Sequence, residues 1–123
     1  MDQPVMVVDD DSVTRRVVTY ALQAMQVEVI AVEDGVQAIQ LAQQQQLALA
    51  IVDINLPVMD GFEVMRRLKD IPHLQDTPMI IFTARSQSGD RMTAQEVGAV
   101  DLLYKPFSTQ ELRSLVRKYL NLA

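Results

Sequence analysis

Short apolar segments alternate with longer segments of helical period along the chain. The apolar segments are rich in Val, Ile and Leu and mostly lack two-residue alternation, which favours strands that are buried on both faces. Repeated strand–helix units of this kind predict an α/β fold, a doubly wound parallel sheet of five strands with helices on both faces. The predicted strands lie near residues 4–8, 27–32, 47–52, 78–83 and 101–104.

Apolar residues three and four positions apart predict a helix after each strand. The first helix is expected to begin at Ser12 as its N-cap, the second after Gly35, the third after Asp60 as a cap, and the fifth at Ser108. The fourth, around 88–97, has few apolar positions, so we expect weak anchoring and mobility there. The predicted inward-facing residues are Val17, Val18, Ala21, Leu22 and Met25; Val36, Ile39 and Leu41; Phe62, Met65 and Leu68; Met92, Ala94 and Val97; and Leu112, Leu115, Val116 and Tyr119.

Four of the apolar segments end in polar residues with useful chemistry. The first ends at Asp9 and Asp10, the third at Asp53, the fourth at Thr83 and the fifth at Lys105. Parallel strands bring their C-terminal ends to one edge of a sheet, where open α/β sheets bind ligands. We therefore expect three carboxylates, a hydroxyl and an ammonium group to lie near one another.

This set of groups suits a divalent cation and a phosphoryl group. Mg2+ prefers oxygen ligands and would offset the mutual repulsion of Asp9, Asp10 and Asp53. With the cation present, a carboxylate can attack phosphorus and form an acyl phosphate, while a hydroxyl and a Lys contact the new oxygens. Each residue alone has an ordinary structural explanation, but their joint placement at strand ends favours a phosphoryl site.

Composition narrows the class of protein. The 123 residues have room for one domain, which we place at 1–123, and the sequence has no Cys, which is compatible with a reducing cytosol. The net charge of -5 argues against direct binding to nucleic acid. No apolar run approaches the roughly 20 residues of a membrane-spanning helix. We expect a cytoplasmic protein without membrane or nucleic-acid contacts.

Two common nucleotide-binding motifs are missing from the sequence. It contains neither GxxxxGK[ST] nor GxGxxG, so nothing supports a nucleoside triphosphatase or a dinucleotide enzyme. The single histidine, His73, lies in a connection far from every strand end. We interpret it as a surface loop residue and not as a base or ligand.

The segments at the strand ends resemble the receiver domain of two-component response regulators. The matching segments are 7–11, 53–61, 82–84 and 105–107, in the order and at the spacing of that family. The resemblance covers nearly the whole chain. It implies the flavodoxin-like strand order 2-1-3-4-5 and a phosphorylation-dependent signalling switch that catalyses only its own phosphorylation and dephosphorylation.

The resemblance also implies roles for individual residues. Asp53 would accept a phosphoryl group from a sensor histidine kinase, a histidine phosphotransfer protein or a small phosphodonor. Asp9, Asp10 and Asp53 would hold Mg2+ together with the backbone carbonyl of Asn55. The surface of helix four, strand five and helix five would then bind an unidentified output partner, a fused output domain or a second copy of the chain.

The resemblance implies that Thr83 and Lys105 would each contact a phosphoryl oxygen and that signal transmission would start there. The Lys105–Pro106 bond resembles the family's cis peptide. One position departs from the pattern, because receivers commonly carry Tyr or Phe three residues before the Lys. This chain has Leu102 there, and its nearest aromatic residue is Tyr104. Transmission would therefore require repacking of Leu102 or displacement of the backbone.

Two other functions stay open at this point. An aspartyl-phosphate phosphatase typically has a second acid two residues after the nucleophile, but this chain has Asn55 there, so the general acid is missing. A pure interaction module is disfavoured by the intact set of site residues. We further hypothesise that Arg85, two residues after Thr83, overhangs the site and alters acyl-phosphate hydrolysis. Sequence does not separate a stand-alone receiver from one cut from a longer protein.

Overall fold

A five-stranded parallel sheet forms the centre of the molecule. The computed structural model describes residues 3–84 and 90–121. The strands are β1 (Val5–Val8), β2 (Val29–Val32), β3 (Leu49–Asp53), β4 (Met79–Thr83) and β5 (Asp101–Tyr104). They lie in the order β2-β1-β3-β4-β5, which confirms the doubly wound, flavodoxin-like sheet. Four strands begin one or two residues later than predicted or extend one residue further, and β5 has its predicted bounds.

Helices cover both faces of the sheet, as predicted. Successive side chains of a buried strand point to opposite faces, so each strand supplies both cores. Alternate strand residues such as Val7 and Ile51 pack with α1 and α5, whereas Val8 and Val52 pack with the helices of the other face. The helices are α1 (Ser12–Gln23), α2 (Gly35–Gln44), α3 (Gly61–Lys69), α4 (Asp90–Glu96) and α5 (Thr109–Leu120).

Short polar side chains cap the helices. The predicted cap of α1 was wrong, since Asp11 and not Ser12 is the N-cap and accepts from the Val13 backbone N–H at 3.1 Å. Ser12 is instead the first helical residue. The predicted cap of α3 is confirmed, because Asp60 accepts from the Glu63 backbone N–H. Ser108, the predicted start of α5, is its N-cap and accepts from the Glu111 backbone N–H, so the helix begins one residue later than predicted. A cap residue satisfies one of the free N–H groups of the first turn.

Three predicted inward-facing residues are exposed. Val17 is 43% exposed, Val36 49% and Met92 68%. In α2 the buried positions are small residues, and a Cβ on Gly35 would lie 2.6 Å from Val64 Cγ2. These small residues allow the close approach of α2 to α3, and Val36 is not among the buried residues of α2. The other predicted inward-facing residues are buried or half-buried: Val18, Ala21, Leu22, Met25, Ile39, Leu41, Phe62, Met65, Leu68, Ala94, Val97, Leu112, Leu115, Val116 and Tyr119.

The segment before α4 lies outside the described residues. The predicted helix start at Ser88 and the position of Arg85 both fall in it. The mobility expected of α4 stays a prediction. Across 3–84 and 90–121, no helix combines the length and apolar character needed to cross a membrane.

His73 lies on the surface, as predicted, but in a short 3-10 helix (Pro72–Leu74) and with structural contacts. Its Nε2 lies 2.7 Å from the Ala42 carbonyl and 3.2 Å from the Gln45 carbonyl. These carbonyls belong to the end of α2, where the last turn of a helix has no partners of its own. His73 therefore ties the end of α2 to the connection before β4.

Candidate functional site

The candidate site lies at the C-terminal edge of the sheet, between β1 and β3, where the strand order reverses. Asp9 directly follows β1, Asp53 ends β3, Thr83 ends β4 and Lys105 directly follows β5. The pairing register places these ends level, since Asp53 is opposite Phe82 and Thr83 is opposite Tyr104. Open parallel sheets bind ligands at such a reversal.

Three carboxylates meet at this edge. One oxygen each from Asp9, Asp10 and Asp53 lies within 4.8 Å of the others. Asp9 and Asp53 are buried, at 0% and 3% exposure, whereas Asp10 is exposed. Buried carboxylates this close together raise each other's energy unless cations balance them. Hard oxygen donors in this number suit Mg2+.

Lys105 supplies one balancing charge to two of the acids. Its Nζ donates to Asp9 Oδ2 at 2.7 Å and to Asp53 Oδ2 at 3.1 Å, with 22% of the side chain exposed. The same Nζ lies 4.8 Å from the centre of the Phe82 ring, a cation–π contact. The Lys105 backbone N–H donates to the Thr83 carbonyl at 2.8 Å, and the Lys105–Pro106 peptide is cis, as expected.

The pKa shifts of Asp9 and Lys105 indicate that one ammonium group does not fully balance the carboxylates of the site. Burial raises the pKa of Asp9 above its usual value, and the hydrogen bond from Lys105 only partly opposes this. Burial lowers the pKa of Lys105, but its hydrogen bond to Asp9 and the charge of Asp53 outweigh that effect, so the net shift is upward. Lys105 is therefore a cation at neutral pH. The carboxylates still outnumber it, which leaves the site short of positive charge.

Backbone groups hold the two buried carboxylates in place. Asp9 Oδ1 accepts from the Asp11 N–H at 2.9 Å, and Asp53 Oδ1 accepts from the Asn55 N–H at 3.2 Å. The other oxygen of each carboxylate accepts from Lys105. Because both oxygens of Asp53 are fixed, its orientation is set before any ligand binds. Asn55 itself is exposed, and the role of its carbonyl stays a prediction.

Sequence reasoning missed two residues that support the site. A Cβ on Gly61 would lie 2.1 Å from the Asp53 carbonyl oxygen, so only glycine fits there. In the sequence, Gly61 marked a helix start and belonged to the matching segment 53–61, but neither signal indicated this contact with Asp53. Arg15 donates from Nη1 to the Asp9 carbonyl at 2.7 Å. No pattern in the sequence pointed to it, because it lies in a helix six residues away.

Thr83 and Leu102 take the expected places in the fold. Thr83 is fully buried at the end of β4. Leu102 is half-buried and packs against the core on the face covered by α2, α3 and α4. Tyr104, the nearest aromatic residue, is half-buried at the end of β5. The described part of the chain therefore has an aliphatic side chain where an aromatic switch residue would stand.

A depression with a mostly apolar lining adjoins the site. Its residues come from α1 and from the segments that directly follow β4 and β5, including Lys105. Val13 and Val17 are 59% and 43% exposed there. The remaining lining residues are Thr14, Ala84, Pro106 and Phe107. An apolar surface beside a charged site is typical of a protein-binding region.

Comparison with known families identifies the family of this chain. Residues 5–117 match the response regulator receiver domain. The chain belongs to this family. The receiver domain is similar to the probable transcriptional regulator ycf27 of Porphyridium aerugineum, at 33% identity over 118 residues, 96% of this chain and 48% of that protein. It spans about half the length of the curated relatives it matches.

Solved structures agree with this assignment. Chemotaxis protein CheY4 of Vibrio cholerae has a TM-score of 0.93 at 30% identity, covering 98% of this receiver domain and 100% of that chain. The receiver domain of a Pseudomonas aeruginosa sensor histidine kinase has a TM-score of 0.89 at 30% identity, covering 98% and 99%. That structure contains a magnesium ion coordinated in its active site cleft.

Proposed function

We propose that this receiver domain is a signalling switch in which Asp53 accepts a phosphoryl group from the phosphohistidine of a sensor histidine kinase or histidine phosphotransfer protein. The observation that carries the proposal is the position of the Lys105 ammonium group. It lies within hydrogen-bond distance of both Asp9 and Asp53, at the edge where the strand order reverses. Family membership supports the same function.

In the proposed reaction, an Asp53 carboxylate oxygen forms a bond to phosphorus while the bond from phosphorus to the donor's histidine nitrogen breaks. The raised pKa of Lys105 keeps its ammonium protonated, so it can donate to a phosphoryl oxygen in place of the carboxylate oxygen that it now contacts. Thr83, buried at the end of β4, would contact another oxygen. Such positioning and charge neutralisation supply most of the catalysis of phosphoryl transfer.

The acidic residues fit Mg2+. Asp9, Asp10 and Asp53 would hold it, with the backbone carbonyl of Asn55 as a further ligand, because their oxygens are hard donors and three of them already lie within 4.8 Å of one another. When bound, Mg2+ neutralises negative charge on the phosphoryl oxygens. The domain would catalyse only its own phosphorylation and dephosphorylation, since Asn55 occupies the place of a phosphatase's general acid.

The donor would dock on the apolar depression beside Lys105. A donor histidine has to approach Asp53 from the open edge of the sheet, and this depression shares Lys105 with the site. Its exposed Val13 and Val17 give a partner protein apolar surface to bury. The proposal therefore includes a protein donor in addition to small phosphodonors.

Phosphorylation would shift an existing equilibrium of the surface formed by α4, β5 and α5. That surface would bind an output partner, a fused output domain or a second copy of the chain. Because Leu102 replaces the usual aromatic residue, the shift would involve repacking of Leu102 or movement of the β5 backbone. The proposal places the domain in the cytoplasm, without direct nucleic-acid or membrane contact, in line with its lack of Cys and its negative charge.

Incubation with acetyl phosphate and Mg2+, followed by intact-mass measurement, tests this function. We expect one phosphoryl group on the wild-type domain and none on Asp53→Ala. Asp76→Asn is the matched control, because it removes an exposed acid outside the site and should be phosphorylated like the wild type. Failure of the wild type to gain a phosphoryl group would contradict the proposal, and steady turnover of a phosphate ester would favour a phosphatase.

A further inference from the structure

Arg15 makes a contact with the backbone of Asp9 that has no role in the proposed chemistry so far. It extends from the first turn of α1 back to the end of β1, where its Nη1 donates to the Asp9 carbonyl at 2.7 Å. The guanidinium is largely buried, with 21% of the side chain exposed. Asp9 has just left the sheet at this point, after its N–H donates to the Val32 carbonyl at 3.1 Å. Arg15 thus fixes the backbone where the sheet no longer does.

The contact of Arg15 with the Asp9 carbonyl determines the orientation of the backbone at Asp10. The Asp9 carbonyl and the Asp10 N–H belong to one planar peptide unit, so a donor on the carbonyl fixes the plane from which Asp10 begins. Within the described part of the chain, no hydrogen bond or ion pair holds the Asp10 carboxylate itself. Asp9 differs, because both of its carboxylate oxygens accept hydrogen bonds. The orientation of Asp10 therefore depends on its backbone.

We propose that Arg15 is a positioning residue, which orients the Asp9–Asp10 peptide so that the exposed Asp10 carboxylate joins Asp9 and Asp53 around Mg2+. This inference rests on the proposed function, since it concerns the same metal site. The second contact of Arg15 is weaker. Its Nη2 lies 3.8 Å from Glu33 Oε2, and the Glu33 side chain is 59% exposed. Exposed ion pairs contribute little, so the carbonyl contact is the important one.

The direction of the effect separates positioning from simple electrostatics. Removal of a cation near an acidic site should tighten the binding of another cation, because it removes a repulsion. Loss of a residue that orients a ligand should weaken metal binding, typically by 10-fold or more in comparable sites. Arg16 provides a matched control, since it is the neighbouring arginine and is exposed.

Calorimetric titration of the purified domain with Mg2+ tests the inference. We expect Arg15→Ala to weaken Mg2+ binding roughly 10-fold and Arg16→Ala not to weaken it. Arg15→Lys, which keeps a charged donor, should fall between Arg15→Ala and the wild type, and Glu33→Gln should resemble the wild type. At saturating Mg2+, Arg15→Ala should recover the wild-type rate of phosphorylation by acetyl phosphate.

The outcomes distinguish this inference from the proposed function. If the wild type binds Mg2+ and the two alanine variants bind it equally well, Arg15 has no positioning role. If the wild type binds no Mg2+, the proposed function fails together with the inference. Urea unfolding of each variant shows whether it is folded. If Arg15→Ala does not fold, Arg15→Lys decides, and a Mg2+ affinity equal to that of the wild type would overturn the inference.

Discussion

Burial makes the negative charge of Asp9 unfavourable. The residue is fully buried, and burial raises its pKa even though Lys105 donates to it. The single ammonium group of Lys105 contacts both Asp9 and Asp53, so neither carboxylate has a cation of its own. Such an arrangement is expected where a further cation completes the site.

The pH dependence of Asp9→Asn tests this cost in metal-free protein. As the pH rises above 3.8, Asp9 in the folded protein retains its proton to a higher pH than Asp9 in the unfolded chain. The native state then binds more protons, so Asp9 lowers the free energy of unfolding as pH rises until its raised pKa is passed. Asn has no such effect. Urea unfolding with a chelator should therefore show that the free energy of unfolding of Asp9→Asn exceeds that of the wild type by an amount that grows with pH over this window. A difference that stays constant with pH would contradict this prediction.

Gly61 packs so closely against the backbone of Asp53 that a larger residue does not fit there. A methyl group there would meet the backbone of Asp53, so Gly61→Ala has to displace either α3 or the end of β3. We expect a loss of about 2 kcal/mol in the free energy of unfolding, as for other overpacked sites, and slower phosphorylation by acetyl phosphate. Thr109→Ala is the control, since it places Ala at the first, exposed position of α5. Equal stability of the two variants would show that the contact is relieved without cost.

Among the elements, the connection from β3 to α3 contains an unusual backbone conformation. Val58 has a φ of 69° and a fully exposed side chain. A β-branched residue rarely adopts this left-handed conformation, because its Cβ approaches the neighbouring carbonyl. The connection begins directly after Asp53, the proposed phosphoacceptor, so this cost lies in the segment that follows it.

Replacement of Val58 by glycine should relieve that cost. We expect Val58→Gly to raise the free energy of unfolding by about 1 kcal/mol, measured by urea unfolding. Val36→Gly is the matched control, because Val36 is also an exposed valine but lies in α2, where glycine should lower stability. Destabilisation by both changes would indicate that the Val58 conformation carries no strain.

Thr83 and Leu102 can be compared for their contributions to signal transmission from the site to β5 and α5. Thr83 is buried at the site, whereas Leu102 is half-buried beside α4 and lacks an aromatic ring. We expect Thr83→Ala to abolish more of the amide chemical-shift change that beryllium fluoride, a phosphoryl mimic, produces over β5 and α5 than Leu102→Ala does. Equal or greater loss in Leu102→Ala would instead make Leu102 the main transmitter.

Sequence reasoning succeeded for elements whose signals are local. The cap at Asp60, the start of α5 to within one residue and the strand order followed from short patterns and from the family resemblance. It failed where packing between elements decides, as for the exposed Val36, because helical spacing does not reveal how closely two helices approach. Arg15 was missed for a similar reason, since its contact is between a side chain and a distant backbone carbonyl.

For the whole molecule, the sheet topology accounts for the site. Five parallel strands place their C-terminal ends at one edge, so residues as distant in sequence as Asp9 and Lys105 come within 2.7 Å. The expectation of carboxylates and an ammonium group at that edge followed from the order of strands and their polar ends. The shared ammonium group and the backbone donors to Asp9 and Asp53 required the structure.

Identification of the phosphorylated residue is the most direct test of the central claim. Acyl phosphates formed with acetyl phosphate and Mg2+ can be reduced with borohydride, which converts the modified aspartate into homoserine, and then located by peptide mapping. We predict homoserine at position 53 and unmodified aspartate at Asp9 and Asp10. Homoserine at either of those two positions, or at none of the three, would contradict the assignment of Asp53 as the phosphoacceptor.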